Sequence, residues 1–129
     1  MKIVRYEDFV KIPDALSFED AGQIYKSILS AKQDADIEFL KLLKELLSNA
    51  VNYADIRSRW LLMSAQQTAQ MDATRSQYHD LFIYAANNVA NYLEKCGYRI
   101  AWREQLGNDR KRLGDFACYL AYIQGINAR

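Results

Sequence analysis

At 129 residues, with one proline, five glycines and a formal charge of +1, the chain fits a single domain and holds little material for a turn-rich β fold. Its near-neutral balance supplies no global field to recruit nucleic acid or an acidic membrane, so nucleic-acid binding is disfavoured and any anion site must be local. No segment approaches the roughly 20 consecutive apolar residues of a membrane helix, and the charged stretch Met1 to Lys11 lacks the apolar core of a secretory signal, which together point to the cytoplasm. Cys96 and Cys118 are too few for a disulfide framework and, each inside an expected helix among apolar neighbours, read as buried free thiols.

In chain order, residues 1–16 read as an arm with enough apolar content in Ile3, Phe9 and Leu16 to dock on a body formed by 17–129, and Pro13 biases Ile12 toward an extended backbone. Ser17 suits the start of a helix over 17–31, because its hydroxyl can accept from the Asp20 amide. Asp34 or Asp36 suits the cap of a second helix over 36–63, about 40 Å long at about 1.5 Å per residue. That helix carries two adjacent apolar rows. One runs Phe39, Leu42, Leu46, Asn49, Tyr53, Ile56, Trp60 and Met63, and the other Leu40, Leu43, Leu47, Ala50, Ala54, Arg57 and Leu61. Two seams predict two partners and a central rod that touches most other helices.

Ser64 with Gln67 offers a capping box, the polar run Ser64 to Gln70 reads as the hairpin, and a third helix extends over 67–96 to a stop at Gly97. Its outer face carries Gln77, Asn87, Asn88 and Asn91, poor helix formers that imply a solvated face or a polar contact surface. The pattern lapses from Gly97 to Asn108, where Trp102 and Leu106 are expected to fold inward over one end of the bundle. Asn108 or Asp109 then caps a last helix over 109–124, ended by Gly125 with Ile126 folding back. The whole is expected to be all-α, a compact bundle of about four main helices.

Trp102-Arg103-Glu104-Gln105-Leu106-Gly107, Asp109-Arg110-Lys111-Arg112 and Gly114-Asp115-Phe116-Ala117-Cys118-Tyr119-Leu120 read as a signature, with Thr74-Arg75 and His79-Asp80 upstream. Over roughly Tyr53 to Arg129 the chain resembles a bacterial family of small helical proteins catalogued only as a domain of unknown function. The resemblance implies a small intracellular helical domain and brings no activity, cofactor or site residue with it.

The residues that could carry chemistry are Arg75, His79, Trp102, Arg103, Arg110 and Asp115. His79, the one histidine, shares a helix face with Arg75, Phe82, Ile83 and Ala86, whereas Asp80 diverges from it by about 100°. As a base it would take an orienting carboxylate from another helix, with Asp115 the candidate; the plainer reading is a hydrogen-bonded residue at the core edge. Arg103, Arg110, Lys111 and Arg112 around the start of the last helix suit a phosphate or carboxylate, or else form structural ion pairs. Asp115 pairs locally with Lys111 or Arg112, or across the fold with Arg75 or Arg103, for which Asp80 is also a candidate partner. Gly114 inside a helix implies a close approach by a neighbour. Trp102 is either a stacking platform or a plug on the core.

One histidine and two separated cysteines supply no metal motif, no nucleophile signature is present, and no cofactor is implied. The sequence therefore favours a non-enzymatic interaction module that associates with itself and with a partner protein, on the strength of nine tyrosines and abundant apolar surface. The alternative is a protein that binds a small anionic ligand or nucleotide, or an enzyme acting on one, through the cluster near His79, Arg103, Arg110 and Asp115.

Overall fold

Five helices and no strand occur among the residues that the computed structural model describes, which are 16–31, 36–60, 63–98, 100, 102–106 and 110–127. They are α1 (Phe18–Ala31), α2 (Ile37–Trp60), α3 (Ala65–Lys95), α4 (Trp102–Leu106) and α5 (Arg110–Asn127). The protein is all-α, and no helix among these residues is long and apolar enough to cross a membrane. Apart from the buried Leu16, the expected arm lies outside the described residues, as do Asp34, Asn108 and Asp109.

Side-chain caps fix where the first three helices begin. Ser17 Oγ accepts from the Asp20 amide at 3.0 Å, and Asp36 Oδ1 accepts from the Phe39 amide at 2.8 Å. The other Asp36 oxygen accepts from the Tyr92 hydroxyl, so one carboxylate caps α2 and ties it to α3. Ser64 and Gln67 form the capping box in both directions, at 3.2 and 2.9 Å. A cap at Ser64 makes Ala65 the first helical residue, so the polar run from Ala65 to Gln70 belongs to α3 and is not the hairpin. At the far end Gly97 adopts φ +92°, the Tyr98 amide donates to the Leu93 carbonyl and the Gly97 amide to that of Glu94, each at 3.0 Å. These are the two bonds of a Schellman stop.

The two rows on α2 face two different helices. Phe39, Leu46, Tyr53 and Ile56 are buried, with Tyr53 stacked on Phe82 and Phe39 on Tyr92 of α3 at ring-centroid distances of 6.2 and 6.4 Å. Ala50 and Ala54 are also buried, Ala54 clusters with Cys118 and Ala121, and Gln124 Nε2 donates to the Leu47 carbonyl at 2.9 Å. That second seam faces α5. α2 thus packs most extensively on α3 and α5, as its two seams require, while α1 packs on α5, so that α5 meets α1, α2 and α3. Phe18 of α1 meets Tyr119 and Tyr122 edge-on at 5.1 and 5.7 Å.

Gly125 does not end α5, which continues to Asn127 with Gly125 buried inside it. A glycine permits a helix stop only where its backbone turns left-handed, and among the described glycines that happens at Gly97 alone. The stretch expected to be irregular contains the one-turn α4, whose four-residue spacing puts Trp102 and Leu106 on the same buried face, with Ile100 beside them in the core. Trp102 and Leu106 thus point inward as their sequence setting suggested. In α3 burial begins late: from Ala65 to Tyr78 no residue is buried, and the first that is buried is His79.

Candidate functional site

The helical period of α3 sets His79, Ile83, Ala86 and Asn87 along one face, α4 brings Trp102, Arg103 and Leu106 over it, and α5 adds Leu113. Among the described residues, these line one cavity of about 270 Å³. That is just below the range of about 300–1,000 Å³ usual for small-molecule pockets, and the mix of an apolar wall with a few converging polar groups is the usual one.

Arg103 is held at the rim by α3. Its Nη1 donates to Glu94 Oε1 at 3.0 Å, and its Nη2 to Asn87 Oδ1 and Asn91 Oδ1 at 3.1 and 3.0 Å. The asparagine face of α3 is therefore a cradle for a guanidinium. Neither Asp115 nor Asp80 is the partner of Arg103. The side chains of Arg103 and Glu94 are 36% and 46% exposed, so the pair sits in water and Glu94 only partly offsets the positive charge.

His79 is buried, with Nδ1 3.2 Å from Asp80 Oδ1 and its ring set edge-on to Tyr53 at 5.4 Å. Asp80 was expected to diverge from His79, yet its flexible, exposed side chain curls back to meet the ring. A carboxylate only accepts, which assigns the proton of the neutral ring to Nδ1 and leaves a lone pair on Nε2. That Nε2 is buried and has no hydrogen-bond partner among the described residues. Buried polar atoms are normally satisfied, so this one calls for an explanation.

Asp115 serves elsewhere. Its Oδ1 accepts from Arg57 Nη1 at 2.9 Å and its Oδ2 from the Leu16 amide at 3.0 Å, with the two side chains 13% and 11% exposed for Arg57 and Asp115. Arg57 Nη1 also lies 3.5 Å from Cys118 Sγ. Gly114 is the close approach that makes room, since a Cβ there would fall 2.7 Å from Arg57 Cζ. Burial opposes the Arg57 charge, but the thiol and the carboxylate beside it outweigh burial and raise its pKa above the ordinary value. Of the two thiols expected to be buried, Cys96 is exposed and Cys118 alone is enclosed; burial pushes the Cys118 thiol up to about 12, only partly countered by Arg57, so Cys118 is no nucleophile at neutral pH.

Three of the six candidates, His79, Trp102 and Arg103, thus share one cavity. Arg75 is ion-paired with Asp72 at 3.5 Å on its own helix and does not line the cavity, Asp115 belongs to the Arg57 cluster, and the Arg110 side chain lies outside the described residues. Lys111 and Arg112 are exposed. Arg57 is the residue that reading the sequence passed over, although a charge on a seam otherwise apolar was a signal that a buried counter-ion must exist. Among the described residues no group of three or more His, Cys, Asp or Glu side chains is placed to hold a metal ion. No protein-family model matches this chain, and neither a curated protein nor a solved structure matches it significantly.

Proposed function

We propose that the protein binds a small organic anion in the cavity between α3, α4 and α5, with the charged end of the ligand at Arg103 and its apolar body against Trp102, Ile83 and Leu113. The observation that carries this reading is the convergence of His79, Trp102 and Arg103 from two helices on one cavity with an apolar wall. Arg103 has five N–H groups, of which three are engaged by Glu94, Asn87 and Asn91, and the remaining donors are available to a carboxylate. We read the role as binding rather than catalysis, since among the described residues the lining offers no nucleophile and no second acid or base beside His79. Titration calorimetry with a panel of aliphatic and aromatic carboxylates is the test. Saturable binding that weakens about tenfold in Arg103→Gln, by loss of a charged hydrogen bond, is expected; equal binding by that variant would overturn the assignment of Arg103.

A second reading is an interaction module that pairs with itself, favoured by Leu81 and Tyr84, which lie one turn apart on α3 and are 42% and 67% exposed. Light scattering at micromolar concentration would then give twice the 15.0 kDa mass of the chain, falling to one chain in Tyr84→Ser. A single-chain mass for the unaltered protein would remove this reading.

A further inference from the structure

We infer that the ligand carries a hydrogen-bond donor as well as a negative charge, placing it among small hydroxylated carboxylic acids with an apolar or aromatic body. This rests on the reading of the cavity as an anion site and adds the group that meets His79. The cavity of about 270 Å³ is about nine times the roughly 30 Å³ share of one water molecule, which suits a body of about ten heavy atoms. Among the described residues, the lining offers donors at Arg103, and His79 brings to the wall an orphaned acceptor, Nε2, buried just behind it.

In the tautomer that the Asp80 contact favours, Nδ1 bears the proton, and Nε2 meets the ligand as an acceptor. An acid without a hydroxyl or N–H leaves that acceptor as it is, whereas a hydroxylated acid satisfies it. Nε2 is shut off from water in the empty cavity, and the ligand reaches it through a small turn of the imidazole about Cβ–Cγ. The Asp80 side chain, 80% exposed, follows that turn through solvent. Recognition is therefore two-ended: Arg103 reads charge, His79 reads a donor, and Trp102 with Ile83, Ala86, Leu106 and Leu113 encloses the body between them.

The probes are phenylacetate and its 2-, 3- and 4-hydroxy derivatives, so that no spacing between the two polar ends is presupposed, with the corresponding hydroxyphenyl ethanols as uncharged controls. In the unaltered protein at least one hydroxyphenylacetate should bind about tenfold more tightly than phenylacetate, the size expected when a buried unsatisfied acceptor gains its donor. His79→Phe, which keeps a ring against Tyr53, should bring that ratio to about one. Arg103→Gln should weaken all the acids and keep the ratio.

A readout that needs no variant comes from the ring itself, because the chain has one histidine and its imidazole nitrogen resonances are unambiguous. In the free protein the Nε2 resonance should sit where an unprotonated nitrogen is found, and saturation with the preferred acid should move it toward the hydrogen-bonded position. Equal affinities for phenylacetate and its hydroxy derivatives, or an Nε2 resonance unmoved at saturation, would overturn this inference while leaving the anion site standing. Binding by none of the acids would overturn both.

Discussion

Arg57 and Arg103 make ion pairs of nearly equal length, 2.9 and 3.0 Å, yet the two guanidinium groups have opposite settings. Arg57 is enclosed between α2 and α5, meets Asp115 and Cys118, and presses on the bare backbone of Gly114. Asp115 in turn holds the Leu16 amide, so the cluster fastens the start of α1 to the two helices at the centre. Arg103 lies at a rim, held flat by Glu94 and two asparagines, with donors left over and a cavity beside it. Distance alone does not separate a clasp from a site. What separates them is whether the chain itself satisfies the charge away from water.

The comparison is most easily broken at Asp115. Removing one member of a buried pair strands the other, so Asp115→Ala should lose about 3–5 kcal/mol in urea unfolding; a loss under about 1 kcal/mol would make the cluster a surface pair. Next is alkaline pH. The folded Cys118 thiol keeps its proton to about 12, against 9.0 for the ordinary thiol, so above pH 9 the unfolded chain binds fewer protons and stability must fall as pH rises. Each pH unit in that window costs about 1.4 kcal/mol, a slope that Cys118→Ala should lack when the two proteins are unfolded in urea from pH 8 to 10.5. The smallest effect is expected at the rim, where Arg103→Ala should change stability by about 1 kcal/mol or less while anion binding is lost. Large destabilisation with unchanged binding would turn Arg103 into a second clasp.

Local chemistry was legible in the sequence wherever the partners are near in the chain. Ser17, Asp36, Ser64 and Gly97 mark helix ends by reaching three to five residues, and the structure uses all four. The double row on α2 was legible because side-chain period alone separates its two faces, and Leu46 is fully buried as that argument requires. Pairings across the fold were not. Asp115 had Lys111 and Arg112 as local candidates and Arg75 and Arg103 across the fold, and choosing Arg57 depends on the rotation of α2 against α5, which side-chain period does not set. Likewise α4 is five residues long, too short for any periodicity to announce it, so Arg103 was read as part of a loop facing α5 rather than a side chain lying on the asparagines of α3.

α3 runs 31 residues, but its buried contacts start only at His79. Among the described residues, the amino-terminal half is held by its own backbone bonds, the partly covered Met71, Arg75 and Tyr78, and the reciprocal Ser64–Gln67 cap. An unsupported helix of that length is marginal in water. Amide exchange along α3 should therefore be graded, quick and locally governed before Tyr78 and slowing toward the global limit from Phe82 onward. The helix is one element by geometry and is expected to be two by cooperativity, its sparsely covered half opening more readily than the half that bears the cavity.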